Sequence, residues 1–273
     1  MSAAANAMQL VWPADAIWQA MQPYQDYWPS GVGVEVWPQI DSTNTELMRR
    51  ARAGQTDAVL IAAEQQTAGR GRLGRQWHTA TQAAGSSLTF SLGVTLPLAD
   101  WSGLSLVTGL LVAQALDPDG AQQVQIKWPN DLWRQGRKLV GILIEAAGST
   151  TQGSAPRYAV IGIGINVVPV QAADLRTPPT AVQDWNPHAT APQLLLQVAP
   201  RLVQGLQRFV REGWPAFAAD YAQRCCLTGR QVQCSDGLQG MALGVDAQGR
   251  LRVQTAQGEV QVHSGEISVR PVQ

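Results

Sequence analysis

The chain has 273 residues, of which 45% are hydrophobic and 15% are charged, so it can bury a substantial core and is not intrinsically disordered. Its 20 basic residues balance its 20 acidic residues, which argues against a protein that mainly coats nucleic acid or an anionic membrane. Only two of the basic residues are lysines, Lys127 and Lys138, and all the others are arginines. Any chemistry that requires a lysine ammonium must therefore use one of these two positions.

Cysteine usage and hydropathy point to a reducing compartment. The three cysteines, Cys225, Cys226 and Cys234, contain no CxxC pair, which excludes a disulfide framework and a zinc site of that type. The longest apolar stretch, residues 104–116, is too short to span a bilayer. The N-terminus has no positively charged region of the kind that opens a secretory signal. We therefore predict a cytoplasmic protein without a membrane partner.

The N-terminal segment is acidic. The first 48 residues contain five Asp and Glu residues and no Lys, Arg or His. A module that reads DNA needs cationic side chains to contact the phosphates, and this segment has none. We therefore predict that DNA is not a partner.

In the first half of the chain, hydrophobic periodicity predicts a short helix, a second helix, two strands and an apolar helix, over residues 15–21, 43–53, 58–63, 87–94 and 104–116. Thr43 and Glu46 stand at capping-box spacing at the start of the second helix, and Gly54 ends that helix.

In the second half, three strands are predicted over residues 124–128, 139–146 and 158–167, the first two joined across a Gln135-Gly136 turn. A helical region runs from Thr190 to Arg211 and is bent or broken by Pro200. After Gly229, five short β segments separated by turn residues predict a small β-barrel. The predicted domains are an N-terminal extension (1–38), a catalytic core (39–228) and the barrel (229–273).

The segment Gly69–Arg75 has the sequence GRGRLGR. Alternating glycine and arginine place exposed backbone N–H groups beside guanidinium groups, an arrangement that suits a phosphate or a phosphoanhydride. The segment lacks the lysine and threonine that end a P-loop, and it does not open a dinucleotide-binding unit. The alternative interpretation is a flexible, solvated loop.

Three further motifs combine strands with polar groups. In Lys127–Asp131, the proline stiffens a turn. Asn130 can hydrogen-bond to a base or a ribose, and Asp131 offers a carboxylate. The alternative interpretation is a purely structural Asn-Asp turn. Lys138 lies at the start of an apolar strand and is a candidate functional ammonium. The alternative interpretation is an ordinary exposed charge at the end of a strand. The strand Gly162–Asn166 contains two glycines, which mark either the close approach of a ligand or a bulge in the core.

Taken together and in this order, the motifs resemble those of the biotin–protein ligase family, in its monofunctional type without an N-terminal DNA-binding domain. The resemblance covers about residues 38–273, and its matching stretches are 41–44, Gln66 with 69–72, Trp77, 127–131, 137–141, 162–166 and 265–270. It implies an α+β fold: a mixed sheet with helices like that of class II aminoacyl-tRNA synthetases and biotin ligases, followed by a C-terminal SH3-like β-barrel.

The resemblance implies a two-step reaction. ATP converts biotin to biotinyl-5'-AMP with release of pyrophosphate, and biotin is then transferred to a lysine of a biotin carboxyl carrier protein of a carboxylase such as acetyl-CoA carboxylase. ATP implies Mg²⁺, which phosphate oxygens and water hold rather than a protein cage. The alternatives are a related lipoate or octanoate ligase or transferase, and a non-catalytic biotin-binding sensor. A homodimer is compatible with an exposed strand of the sheet.

The resemblance also implies residue roles. Lys138 bridges the biotin carboxylate and the α-phosphate, and Asp131 orients or helps to deprotonate the acceptor lysine. The implied catalytic residues are Lys138, Arg70, Arg72 and Asp131. The implied biotin-binding residues are Ser42, Thr43, Asn44, Gln66, Arg70, Gly71, Arg72 and Lys138. The implied nucleotide-binding residues are Arg75, Trp77, Lys127, Asn130, Asn166 and Trp185, with Trp185 covering the adenine.

Overall fold

A mixed seven-stranded sheet forms the centre of the protein, with strand order β1-β2-β3-β7-β6-β5-β4. The structure is a computed structural model that describes residues 10–24, 26–77, 84–98, 100–147, 157–169, 177–263 and 268–272. Only β1 and β2 pair in parallel, and the other neighbours are antiparallel. The strands are β1 (Gly33–Ile40), β2 (Val59–Gln66), β3 (Ser87–Leu96), β4 (Gln125–Lys127), β5 (Asp131–Arg134), β6 (Arg137–Ala147) and β7 (Arg157–Asn166).

Helices cover both faces of this sheet. They are α1 (Ala14–Met21), α2 (Thr43–Arg52), α3 (Leu104–Leu116), α4 (Ala191–Glu212) and α5 (Ala218–Arg224). The apolar α3 is buried on nearly all sides and packs against α4, which builds the main core. The short α2 packs against β3, β6 and β7, where it forms a second, smaller apolar cluster with Leu47 and Met48. No helix in the described ranges is long and apolar enough to cross a membrane.

The predicted α+β class is confirmed, but several local predictions were wrong. Ser42, not Thr43, caps α2: its side chain accepts a hydrogen bond from the Thr45 N–H at 3.4 Å. Pro200 does not break the helical region: it lies inside α4, which continues past it and buries apolar residues on both sides of that proline. Tertiary packing therefore outweighs the hydrogen bond that the proline removes.

Two strands were not predicted. β1 carries Glu35 and Pro38 in a half-exposed pattern, and a proline is tolerated there because β1 is an edge strand. β5 has only four residues, and it separates two strands that were expected to be direct neighbours. The Gln135-Gly136 turn therefore joins β5 to β6, and β1 spans the predicted boundary between the extension and the core.

A second, five-stranded antiparallel sheet, ordered β11-β10-β9-β8-β12, forms the C-terminal part. Its strands are β8 (Gln231–Cys234), β9 (Gln239–Val245), β10 (Leu251–Thr255), β11 (Gly258–Val262) and β12 (Val269–Pro271). All five predicted β segments are thus present. Residues 264–267, which include part of the predicted 265–270 match, lie outside the described residues.

The turn between β9 and β10 docks this sheet onto the core. The Trp128 indole N–H donates to the Gly249 carbonyl at 3.0 Å, and the Trp214 indole N–H donates to the Asp246 carbonyl at 3.0 Å. The Asp246 carboxylate accepts the backbone N–H groups of Gln248 and Arg250, both at 2.9 Å, which holds the turn in shape. Trp128 follows Lys127 directly, so the C-terminal sheet is bonded to the Lys127–Asp131 motif.

We expect Gly249→Ala to destabilise this docking. Gly249 has φ +74°, and an added Cβ would lie 3.0 Å from Leu106 Cδ1 and 3.3 Å from Gly103 Cα. Gly237→Ala is the matched control, because Gly237 has φ +94° in the same sheet but its added Cβ would meet nothing within 4 Å. The control should lose about 1–2 kcal/mol from left-handed strain, and Gly249→Ala should lose about 1–3 kcal/mol more from overpacking. Equal losses in denaturant unfolding would contradict this docking role.

Candidate active site

A cleft opens where the N-terminus of α2, the end of β2, the segment following Gly69 and the β4–β5 turn meet over β6 and β7. All but two of the residues assigned from sequence line this cleft: Ser42, Thr43, Asn44, Gln66, Arg70, Gly71, Arg72, Arg75, Trp77, Lys127, Asn130, Asp131 and Lys138. Segments far apart in the sequence therefore converge on one site. The structure does not place Asn166 and Trp185 among the lining residues.

The N-terminus of α2 forms one end of the cleft. Ser42, Thr43 and Asn44 are each 2–3% exposed, although all three are polar. Gln66, at the end of β2, accepts the backbone N–H of Thr43 on its side-chain oxygen at 2.8 Å. The Asn44 amide donates to the Leu143 carbonyl at 3.3 Å and to Glu145 Oε2 at 3.0 Å. This end thus presents fixed, nearly dry hydrogen-bonding groups, as a small polar head group requires.

The glycine- and arginine-rich segment lines the cleft as a tight turn next to this polar end, because Arg70 and Asn44 both bind Glu145. The Gly71 N–H donates to the Arg75 carbonyl at 2.7 Å, and Leu73 adopts left-handed φ and ψ angles of 59° and 37°. Arg70 pairs with Glu145, with an Nη2–Oε1 distance of 3.0 Å, and Arg72 donates to Asn130 Oδ1 at 3.0 Å. Burial lowers the pKa of Arg72 from its ordinary value, but an arginine keeps its charge at neutral pH.

Asp131 stands between the two lysines. Its Oδ1 lies 2.7 Å from Lys138 Nζ, and its Oδ2 lies 3.7 Å from Lys127 Nζ. The Lys127 side chain is 9% exposed, and this burial lowers the pKa of its ammonium. The Lys138 side chain is 31% exposed and lies at the cleft, 5.8 Å from the Trp77 ring centre. The cleft therefore holds one accessible ammonium and one buried ammonium on a shared carboxylate.

The strand glycines make room for side chains of the chain itself. A Cβ on Gly162 would lie 2.1 Å from Asn44 Oδ1, and a Cβ on Gly164 would lie 2.5 Å from the Trp77 indole. Gly141, which pairs with Gly164 across β6 and β7, is covered by the same indole. Asn44 and Trp77 can therefore lie flat on the sheet only because these strand positions carry no side chain.

Asn166 and Trp185 contribute outside the cleft lining. The Asn166 amide donates to the backbone carbonyls of Lys138 at 3.2 Å and Thr180 at 3.0 Å, so it ties the start of β6 to a neighbouring loop. Trp185 packs against Arg134, with the guanidinium carbon 4.9 Å from the ring centre. Neither placement tests the nucleotide contacts that the resemblance implied.

Several residues at this site were not assigned from the sequence. Ser91 and Glu145 hold the polar end of the cleft through Asn44, and Ser268 reaches the cleft from the C-terminal sheet. Strand alternation places Ser87, Thr89 and Ser91 on one face of β3, which was the available signal for Ser91. Among the described residues, no group of three or more His, Cys, Asp and Glu side chains is arranged to hold a metal ion.

Comparisons with known proteins agree with this architecture. A model of the biotin/lipoate A/B protein ligase family matches residues 36–166, and a model of the biotin protein ligase C-terminal domain matches residues 229–270. These two matches define the class: a catalytic ligase domain followed by its C-terminal domain.

Individual relatives give the particular family. The chain is 34% identical over 251 residues to a biotin–[acetyl-CoA-carboxylase] ligase of Mycobacterium tuberculosis, covering 86% of this chain and 88% of that protein. It is also 34% identical to the bifunctional ligase/repressor BirA of Escherichia coli, covering 88% of this chain and 75% of that protein. The structure of the Aquifex aeolicus biotin protein ligase in complex with biotin and ATP superposes with a TM-score of 0.73 at 25% identity, covering 88% of this chain and 99% of that one. The chain belongs to the biotin protein ligase family.

Proposed function

We propose that the protein is an ATP-dependent biotin–protein ligase whose reaction takes place in the cleft around Lys138. The observation that carries the proposal is the position of Lys138: its partly exposed ammonium lines the same cleft as the buried polar residues at the start of α2 and three arginines. The family membership and the Aquifex aeolicus ligase structure with biotin and ATP support the same chemistry.

The first step joins two anions. A carboxylate does not condense with an amine at neutral pH, so the biotin carboxylate attacks the α-phosphate of ATP and pyrophosphate leaves. Lys138 is suited to stabilise the charge that develops between these groups, because Asp131 holds its ammonium at 2.7 Å. Arg70, Arg72 and Arg75 supply further positive charge from the glycine- and arginine-rich segment. The buried end formed by Ser42–Asn44 and Gln66 takes the ureido head of biotin.

The second step transfers the biotinyl group from AMP to a lysine of a carrier protein. Relatives named biotin–[acetyl-CoA-carboxylase] ligases support a biotin carboxyl carrier protein as the acceptor. Asp131 is the carboxylate that lines the cleft beside Lys138, and we assign it the orientation of the incoming amine. AMP is the leaving group, so no further energy source is needed.

Mg²⁺ enters this proposal with ATP. The one cleft carboxylate described at this end, Asp131, is already engaged by Lys138 and Lys127, so the described residues provide no protein cage for a cation. A divalent ion bound by phosphate oxygens and water fits this donor set, and it would neutralise charge on the leaving pyrophosphate. Lys127 and Asn130 line the adjacent part of the cleft and are the proposed contacts to the nucleotide.

A transfer assay tests the proposed function. Purified protein, ATP, Mg²⁺ and a biotin carrier domain should incorporate radiolabelled biotin, and lipoate or octanoate should not be incorporated under the same conditions. Biotin-dependent exchange of pyrophosphate into ATP should occur without the carrier. Incorporation of lipoate alone would favour the related acyl transferases, and biotin binding without pyrophosphate exchange would favour a non-catalytic sensor.

A further inference from the structure

A serine beneath the polar end of the cleft belongs to none of the sequence motifs. Ser91 lies on β3, is 0% exposed, and does not line the cleft. Its hydroxyl oxygen lies 2.6 Å from Thr43 Oγ1 and 2.6 Å from Asn44 Oδ1. Both partners line the cleft, so Ser91 contacts two proposed ligand-binding side chains from behind. A hydroxyl has only one proton, which makes the direction of these two hydrogen bonds decisive.

The Asn44 amide fixes the first direction. Its nitrogen, Nδ2, donates to the Leu143 carbonyl at 3.3 Å and to Glu145 Oε2 at 3.0 Å, and both of these partners can only accept. The oxygen, Oδ1, therefore faces Ser91, and an amide oxygen can only accept. The single Ser91 proton is consequently committed to Asn44.

The Thr43 hydroxyl then has a fixed direction as well. The 2.6 Å contact between Ser91 and Thr43 needs a proton, and only Thr43 has one left to donate. The side-chain oxygen of Gln66 accepts the Thr43 backbone N–H at 2.8 Å and is a second, longer acceptor for the Thr43 hydroxyl at 3.2 Å, so both neighbours of this hydroxyl draw its proton away from a ligand. Thr43 therefore directs its proton into the protein and keeps lone pairs for a group in the cleft.

We propose that Ser91 is a positioning residue that sets the hydrogen-bond polarity of the head-group pocket, so that the Thr43 hydroxyl faces the ligand as an acceptor. This inference rests on the proposed function, because biotin supplies the matching chemistry: a ureido ring has N–H donors. A buried acceptor disfavours a ligand that has an oxygen in place of this N–H group, because two lone pairs would then face each other without a proton between them. The pocket therefore selects a cyclic urea by polarity as well as by shape.

Ser91→Ala and Ser87→Ala form a matched pair for the test. Both serines are buried on β3 and point to the same side, but the Ser87 hydroxyl has no hydrogen-bond partner among the described residues. Binding of biotin is measured by calorimetry without ATP. Ser91→Ala should weaken biotin binding about tenfold, because Asn44 Oδ1 loses its donor. Ser87→Ala should stay within about twofold of the wild-type protein.

Two biotin analogues isolate polarity from packing. Each is a cyclic carbamate in which one of the two ureido N–H groups is replaced by oxygen. The wild-type protein should bind the analogue whose oxygen faces Thr43 at least about 100-fold more weakly than biotin. In Ser91→Ala this ratio should shrink about tenfold, because the Thr43 proton loses its 2.6 Å acceptor, keeps only the longer 3.2 Å contact with Gln66, and can turn toward the analogue. The ratio should not change in Ser87→Ala.

The outcomes separate the inference from the proposed function. Failure of the wild-type protein to bind biotin would refute the proposed function itself. Normal biotin binding by the wild type, with Ser91→Ala and Ser87→Ala equal in affinity and in their discrimination against the carbamates, would overturn the role of Ser91. If Ser91→Ala does not fold, as judged by circular dichroism, Ser91→Cys retains a weak donor and should show an intermediate loss. A Ser91→Cys variant identical to Ser87→Ala would equally overturn the inference.

Discussion

Replacing Lys138 with alanine is expected to slow biotin adenylation by about 100- to 1,000-fold, the usual loss when one preorganised donor to a developing charge is removed. Lys138 is the accessible one of the two ammonium groups in the cleft, and Asp131 fixes its position at 2.7 Å. Its removal leaves the α-phosphate and the biotin carboxylate without the cation that we propose bridges them. Pyrophosphate exchange into ATP, followed at saturating biotin, measures the effect on this step directly.

Two companion variants make the Lys138 result specific. Lys138→Arg keeps the charge but replaces a compact ammonium with a larger, planar guanidinium group, so it should recover only part of the rate that Lys138→Ala loses. Arg252→Ala removes a partly exposed surface cation that pairs with Glu259 in the C-terminal sheet, and it should leave pyrophosphate exchange unchanged. Near-normal exchange by Lys138→Ala, with an unchanged melting temperature, would contradict the role assigned to Lys138.

The second large effect is expected for Gly162→Ala, which should weaken biotin binding by about 100-fold or more, equivalent to about 2.7 kcal/mol. The added methyl group would lie 2.1 Å from Asn44 Oδ1, so the amide must leave its place. Gly162 pairs with Ser91 on one side and Leu143 on the other, and both contact the Asn44 amide. Moving Asn44 therefore breaks the hydrogen bonds that organise the polar end of the cleft.

Gly33→Ala is the control for the Gly162 substitution. Gly33 is also a strand glycine without a positive φ, but its added Cβ would make only ordinary contacts, the nearest at 3.6 Å. This variant should bind biotin like the wild-type protein. Equilibrium binding, together with thermal unfolding of both variants, distinguishes loss of the pocket from loss of the fold. Equal biotin affinities for Gly162→Ala and Gly33→Ala would show that Asn44 does not organise the pocket.

The Lys138 and Gly162 substitutions are expected to affect different parts of the cleft. In the proposed function, Gly162 and Asn44 belong to the end that holds the head group, whereas Lys138 belongs to the end where bonds change. Gly162→Ala should therefore act mainly on biotin affinity, and Lys138→Ala mainly on the rate of the chemical step. The C-terminal sheet is bonded to the second end through Trp128 and Gly249, and it reaches the cleft with Ser268.

Elements with a strong local signal were predicted closely from the sequence. The apolar α3 begins and ends at the predicted residues, because a mostly apolar run of that length identifies a buried helix without tertiary information. β1 and β5 were missed because an exposed edge strand with a proline, and a four-residue strand with charged ends, carry little periodicity. Their identity as strands depends on the neighbours with which they pair.

The sequence by itself determined which side chains are available for the chemistry. With only two lysines in the chain, and both inside motifs, the ammonium groups had to come from Lys127 and Lys138. Only the tertiary structure decided how exposed each lysine is: the Lys127 side chain is 9% exposed and the Lys138 side chain is 31% exposed. The same holds for Ser91 and Glu145, whose roles depend on hydrogen bonds to a residue more than 40 positions away. Chemical identity is local, whereas burial and the direction of a hydrogen bond exist only once distant segments are packed together.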